Sequence, residues 1–399
     1  MEYRAVQISD RVYWVGAIDW AVRDFHGYST NRGTTYNAYL IIADKVTLID
    51  TVKAPFKDEL LSRIASVISP EKIDYIVSNH AEMDHSGALP AIIEVVKPNK
   101  VFASVMGVKA LKEHFHFEQE LIPVKDGDAL SLGSLTLNFL ETRMLHWPDS
   151  MVSYLVEERL LFSQDGFGMH WATGARFADE LNYETLRYEG AKYYANILLP
   201  YSALVLKLVE RIRQLRLPID IIAPDHGPIW RKDPMQVVSW YQEWAEQKPK
   251  RKAVVVYDTM WGSTDILARV IGDALAEKGI ETKVMRLRAN DRSDVMTEIL
   301  DAGAIVFGSP TLNNNIFPTV ADVLTYIKGL KPKNKLGAIF GSYGWSGEAV
   351  SILADWLKEM GVELVAEPLR VKYVPDKVAL GKARELGYTV AERLTERGV

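Results

Sequence analysis

Residues 73–86 read IDYIVSNHAEMDHS. The apolar run predicts a buried strand, and at its C-terminal end His80, Glu82, Asp84 and His85 follow within a short loop. All four are side chains that ligate metal ions, and a loop at a strand end is where a sheet can present them together. Outward from that loop the same placement recurs three times. LTLNFLETRMLHWPDS (135–150) puts His146 just beyond an apolar strand, RLLFSQDGFG (159–168) puts Asp165 at the end of another, and IDIIAPDHGP (219–228) puts His226 after a third, again followed by Gly. A single histidine after a strand is more often a packing or surface residue than a ligand. Strand C-termini share one rim of a sheet, however. Four ends that all carry His or carboxylate therefore predict one metal site built from all four.

The chain has 399 residues, a formal net charge of −5, eight histidines and no cysteine. The missing cysteines exclude a disulfide framework, a thiolate zinc site, a cysteine-ligated iron–sulfur cluster and a Cys nucleophile. A mildly acidic balance without a basic patch argues against a nucleic-acid partner. The first residues lack the apolar core of a signal peptide, and no apolar run approaches the ~20 residues of a membrane span, so a cytoplasmic location without a membrane partner is expected. The histidines lie at 26, 80, 85, 114, 116, 146, 170 and 226, and the last 173 residues hold none. Histidine chemistry thus belongs to the first part of the chain, which marks a division.

The division falls at EWAEQKPKRK (243–252), a charged stretch that ends at the β-branched run AVVVY (253–257). Beyond it, strands and helices alternate strictly. Helices are predicted over 265–279, 293–302, 318–330 and 348–361, and strands over 253–257, 281–287, 304–310 and 336–344. That pattern specifies a doubly wound parallel sheet. Before the division, YWVGAID, NAYLIIAD and KVTLID arrive as consecutive strands ahead of a helix at 55–68, and MVSYLVEERLLFSQ (151–164) reads as a hairpin turning at 157–159. Strand meanders mixed with βα units predict two packed sheets with helices outside. The expected organisation is 1–248, a linker at 249–252, and 253–399.

The second part offers a different site. After AVVVY, DTMWGSTDILA places Thr259, Met260, Trp261, Gly262, Ser263 and Thr264 in a turn that opens into a helix. Backbone amides, hydroxyls and the helix dipole can hold a phosphate there without a cation. Neither GxxxxGK[ST] nor GxGxxG is present, which argues against a P-loop nucleotide site and a Rossmann dinucleotide site. Two later loops follow strands of the same sheet. One carries Pro310, Thr311, Leu312, Asn313 and Asn314, the other Ser342, Tyr343, Gly344, Trp345 and Gly347. In a doubly wound fold these loops converge beyond the strand ends. The pattern resembles flavodoxin, with the first loop for the FMN phosphate, Trp261, Tyr343 and Trp345 as aromatics that can stack on the ring, and Asn313 and Asn314 at its polar edge.

The histidine motif H-x-[HE]-x-D-H, with a later His, an Asp and a final His-Gly, resembles the metallo-β-lactamase fold, an αββα sandwich. Glu82 stands where most of that superfamily has His, and a carboxylate there favours iron over zinc. A carboxylate-rich site of this kind followed by a flavodoxin-like domain is similar to the flavodiiron proteins, or A-type flavoproteins, over essentially the whole chain. The resemblance implies a diiron centre in which His80, Glu82 and His146 hold one iron, Asp84, His85 and His226 hold the other, and Asp165 bridges. It implies reduction of nitric oxide to nitrous oxide and/or of dioxygen to water through FMN. Rubredoxin or a similar protein would be the electron donor, and the assembly would be a head-to-tail homodimer or a dimer of dimers. His26 and Tyr194 are candidate catalytic donors to a bound oxygen atom, and His170 a candidate for lining the site, whereas His114 and His116 read as solvated. Two other readings of the residues stay open: a binuclear zinc hydrolase fused to a flavodoxin-like domain, and a non-enzymatic electron carrier or gas sensor.

Overall fold

The computed structural model describes residues 2–116 and 118–398. The chain divides into two units. The first comprises the residues up to His26, Thr30–Tyr193 and Tyr201–Gln242, and the second Gly27–Ser29, Tyr194–Pro200 and the residues from Glu243 onward.

In the first unit, two sheets face each other. Among the described residues one has seven strands, in the order Val6–Gln7, Val12–Trp14, Tyr39–Ile41, Thr47–Ile49, Tyr75–Ser78, Lys100–Ser104, Leu121–Val124. It is antiparallel at its start and parallel from Thr47–Ile49 onward. The other runs Ala129–Ser131, Thr136–Glu141, Met151–Leu155, Leu160–Gln164, Ile221–Pro224. The expected hairpin is present, with Leu155 opposite Leu160. Alternation decides what each strand buries. Trp14, Tyr39, Ile49, Val77 and Phe102 from the first sheet meet Phe139, Met151, Leu155 and Phe162 from the second. On the outer face, Leu40, Leu48 and Ile76 pack against Leu60 and Ile64 of the helix Lys57–Ala65 and against Ile92 and Val96 of Leu89–Val96. Both predicted layers and their external helices are therefore present.

The second unit holds one parallel sheet, ordered Glu281–Arg286, Lys250–Tyr257, Ala302–Pro310, Leu336–Tyr343, with Glu363–Leu364 and Leu369–Lys372 both on the last of these. Ala253, Val255 and Tyr257 face Leu267 and Ile271 of the helix Ser263–Glu277 and Leu386 and Val390 of the helix Lys377–Glu396. The first strand begins at Lys250, inside the stretch read as a linker. Lys252 explains the extension: it is buried, and its Nζ lies 2.8 Å from Glu298 and 2.9 Å from Asp301, so a charged residue is accommodated in a strand by local pairing. Among the described residues no helix is long and apolar enough to cross a membrane.

Candidate functional site

The first unit brings all seven predicted ligands together. His80 ends the strand Tyr75–Ser78, and Glu82 leads into the short helix Met83–Ser86, which carries Asp84 and His85. Asp165 follows Leu160–Gln164, His226 follows Ile221–Pro224, and His146 lies in the loop after Thr136–Glu141. They form two groups with ligand atoms mutually within 4.8 Å: His80, Glu82, His146 and Asp165, and Asp84, His85 and His226. Asp165 faces both. Its Oδ2 lies 3.4 Å from His80 Nε2 and 3.2 Å from His146 Nε2, and its Oδ1 lies 3.1 Å from His85 Nε2 and 3.4 Å from His226 Nε2. Glu82 Oε2 is 3.2 Å from His146 Nε2, and Asp84 Oδ2 is 3.1 Å from His226 Nε2. All four imidazoles thus turn Nε2 inward.

The ring nitrogens on the outer side explain that orientation. His80 Nδ1 donates to Asp149 at 3.0 Å, and His226 Nδ1 donates to the Thr35 carbonyl at 2.6 Å. A carbonyl cannot donate, so the proton sits on Nδ1 of His226 and its Nε2 keeps the lone pair that a metal needs.

Electrostatics describe the same place. Burial alone would lower the His80 pKa, but Asp149, Glu82 and Asp165 overcome it and push it up to about 10. For His146 burial is likewise overcome, by Asp165 and Glu82, and the value rises to about 9. Against burial, the histidines hold Glu82 and Asp165 well below the ordinary carboxylate range. Both Asp84 oxygens and Asp165 Oδ2 are buried without a hydrogen-bond partner among the described residues. Burying carboxylate oxygens unsatisfied is costly. Oxygens left that way, aimed at inward-facing imidazoles, fit two cations, one per group.

His26 is mostly exposed and reaches the rim, its Nε2 3.3 Å from Glu82 Oε1. His170 lines the site behind His226: its ring centroid is 4.6 Å from that of His226, and its Nδ1 is 2.8 Å from Thr34 Oγ1. His114 and His116 are exposed, as expected. The tyrosine that this unit sets against the site is Tyr193, one residue before the expected Tyr194. Tyr193 is buried with its ring 5.1 Å from His170 and 6.2 Å from His226, whereas Tyr194 belongs to the second unit and packs at 5.6 Å on Trp244. Neighbours on a helix point about 100° apart, so the two side chains take different environments. Asp149, Asp225, Thr34 and Thr35 were not singled out in the sequence; all four face a ligand histidine at its outer nitrogen.

In the second unit a pocket of about 550 Å³ opens beyond the strand ends. Met260, Trp261, Ser263, Pro310, Thr311, Leu312, Asn313, Asn314, Ser342, Tyr343, Gly344 and Trp345 line it, together with Ser346, Tyr373 and Val374. Trp261 is 95% and Trp345 87% exposed, which leaves two indoles without a packing role. The other expected residues lie beneath or beside the pocket. Thr259 Oγ1 accepts from Gly262 N at 3.1 Å, the Thr264 hydroxyl pairs with that of Ser342 at 2.8 Å, and Gly347 precedes the helix Glu348–Glu359. Gly262, at φ 90°, turns the chain into the helix Ser263–Glu277, whose first amides face the loop. A flat aromatic group bearing a phosphate fits this cradle: the dipole and hydroxyls take the anion, and the aromatics take the ring.

Comparison with known proteins gives the same two parts. The family described as ODP family beta lactamase matches residues 34–227, and the flavodoxin family matches 255–387. The chain is 48% identical to a nitric oxide reductase of Moorella thermoacetica over 98% of its own length and 99% of the relative's. Among solved structures, the rubredoxin oxygen:oxidoreductase of the anaerobe Desulfovibrio gigas superposes with a TM-score of 0.97 at 48% identity, covering 98% of this chain and 99% of that one. The flavodiiron protein of Giardia intestinalis gives a TM-score of 0.95 at 35% identity, covering 99% and 98%.

Proposed function

The chain belongs to the flavodiiron proteins, and from that premise we propose that it is a reductase carrying electrons from rubredoxin or a similar donor through FMN to a diiron centre, where nitric oxide is reduced to nitrous oxide and/or dioxygen to water. One observation carries the reading: Asp165 stands between two ligand groups and turns one oxygen to each. That is the arrangement of a bridging carboxylate in a two-metal site, and the iron pair it implies needs the one-electron supply that a flavin provides.

His80, Glu82 and His146 would hold one iron, Asp84, His85 and His226 the other, with Asp165 shared. The loops at 259–264, 310–314 and 342–347 would hold FMN. When bound, two ferrous ions and reduced FMN together supply the four electrons that take dioxygen to two waters, or the two that take two nitric oxides to nitrous oxide and one water. The protein's own residues supply shape and protons. His26, at the exposed edge of Glu82, is placed to donate a proton through Nε2, and the buried Tyr193 and His170 close the site behind His226 against bulk water. The 399 residues hold no cysteine and so none of the thiolate ligands of a rubredoxin iron, so electrons would reach FMN from a rubredoxin site outside this sequence. We place the protein in the cytoplasm and in a head-to-tail homodimer or a dimer of dimers. The relatives' names, which are those of reductases, do not favour the zinc-hydrolase alternative.

The test has two stages. Protein purified anaerobically should contain iron and FMN, and mixing the fully reduced form with nitric oxide or dioxygen should reoxidise both cofactors rapidly, with nitrous oxide or water as product. Zinc in place of iron, or gas binding without reoxidation, would overturn the proposal. Turnover with each gas and a competent rubredoxin then gives the preference.

A further inference from the structure

Each loop that supplies a late histidine ligand also supplies a carboxylate, and that carboxylate turns to the other histidine of the same group. His146 and Asp149 share one loop, and Asp149 Oδ2 lies 3.0 Å from Nδ1 of His80. The same oxygen accepts from the backbone amide of Ala81 at 2.6 Å, so one atom fixes both the ring of His80 and the chain that follows it. Asp149 is itself tied down, its carbonyl accepting from Ser104 Oγ at 2.7 Å. His226 and Asp225 are adjacent, and Asp225 Oδ2 lies 3.5 Å from Nδ1 of His85. Asp225 is fully buried, and its backbone is locked between Gln164 and Asn37. Neither of its carboxylate oxygens has a hydrogen-bond donor among the described residues, and His85 Nδ1 is likewise without an acceptor. A buried carboxylate is retained at a cost unless something is given to it. The N–H of His85 is the group within reach.

We propose that Asp149 and Asp225 are positioning residues, one for each metal: Asp149 sets His80 in the group with Glu82 and His146, and Asp225 sets His85 in the group with Asp84 and His226. Each acts by accepting from Nδ1–H, which fixes the tautomer, aims Nε2 at the metal and makes it a stronger donor. The two clamps differ. Asp149 Oδ2 stands 3.0 Å from its ring nitrogen and Asp225 Oδ2 3.5 Å from its own. The proposal rests on the two-metal reading and concerns how this chain's own residues support it.

The experiment uses the full-length, FMN-containing protein as wild type and as Asp149→Ala, Asp149→Asn, Asp225→Ala and Asp225→Asn. Each is loaded separately with Fe(II) under anaerobic conditions and with Zn(II), and metal release to a chromophoric chelator is followed. In the Zn(II) arm each Ala variant should bind one of its two ions 10–100-fold more weakly, the loss typical of an outer partner of a metal-bound histidine. In the Fe(II) arm, Mössbauer spectra should show that Asp149→Ala and Asp225→Ala lose different iron signals. Asn keeps an oxygen that accepts from Nδ1–H, so each Asn variant should recover most of the affinity. A circular-dichroism spectrum and a melting transition matching wild type show that a variant has folded. Ala variants that hold both ions as tightly as wild type, that lose the same signal, or that are not rescued by Asn would overturn the pairing. Wild type that binds two Zn(II) with these effects but carries no iron would overturn the diiron reading and leave the pairing standing.

Discussion

Asp165 is the residue on which the site turns, because among the described residues it is the one side chain that lies within 3.4 Å of all four candidate ligand imidazoles. Asp165→Asn keeps its volume and removes the charge. We expect neither group to retain iron through desalting, while FMN stays bound, as read by metal analysis and flavin absorbance on one sample. The histidines carry a second prediction. Against burial, the carboxylates of Asp149, Glu82 and Asp165 push His80 up to about 10, and those of Asp165 and Glu82 push His146 up to about 9, so both hold protons at neutral pH that an incoming ion must displace. Apparent affinity should therefore rise by roughly two decades per pH unit from pH 7 to about 9, by roughly one from there to about 10, and then level. Zinc titrations in buffers of different ionisation enthalpy check this through the protons released, and a flat profile would contradict it. The sign for folding is opposite. Raised histidine values stabilise the metal-free fold fully below the unfolded value of about 6.5, and that contribution is lost as pH climbs through about 9 to 10. The seven candidate ligands were legible in the sequence because they follow the ends of four apolar strands. Asp149 and Asp225 were not, since an Asp near a ligand histidine gives no sign of which ring it faces. Tyr193 was not singled out, because the YY pair at 193–194 gives no sign of which ring lies beside His170 and His226.

Elements explain why the second unit was easier to read than the first. Parallel strands buried on both faces appear as unbroken apolar runs, and the helices Ser263–Glu277 and Glu348–Glu359 are closed by Gly279 and Gly361, so these elements leave sharp edges in the sequence. The reading stopped short of the final strand, Leu369–Lys372, two of whose four residues are charged and whose pairing is confined to one neighbour. Its C-terminal loop carries Tyr373 and Val374, which line the pocket, so applying the strand-end rule once more would have found them. The turn at 259–264 shows what such loops require. Gly262 adopts φ 90°, and a Cβ there would meet no heavy atom within 4 Å, so any cost of Gly262→Ala comes from backbone strain and not from a clash. That strain is about 1–2 kcal/mol in an L-residue. If the loop relaxes to relieve it, the amides at the start of Ser263–Glu277 move off the phosphate, and FMN should be held roughly tenfold more weakly. Fluorescence of released flavin during dilution measures this. Iron content should be unchanged, because the ligands belong to the other unit.

At the scale of the whole molecule, the metal ligands lie in one unit and the flavin pocket in the other, so electrons must pass between units to reach the iron. A head-to-tail homodimer lets that transfer run from the flavin of one subunit to the iron of its partner. A two-fold axis would then create two such routes per dimer, each drawing on both chains. This has a quantitative consequence. Glu82→Ala removes a ligand of one iron, and a phosphate-loop variant such as Gly262→Asp removes FMN by strain and charge repulsion, so neither homodimer should turn over. Denaturation and joint refolding of equal amounts, with both cofactors restored, yields mixed dimers as half the population. Each mixed dimer then contains one subunit with flavin whose partner has intact iron, which is one working route of two. Recovered turnover should reach about a quarter of the wild-type value per chain. If electrons instead pass from flavin to iron within one chain, no subunit of the mixture has both cofactors, and recovery should be nil. Size-exclusion chromatography of the refolded mixture, with the two variants carrying different affinity tags, confirms that mixed dimers form, so that an absence of turnover bears on the route and not on assembly.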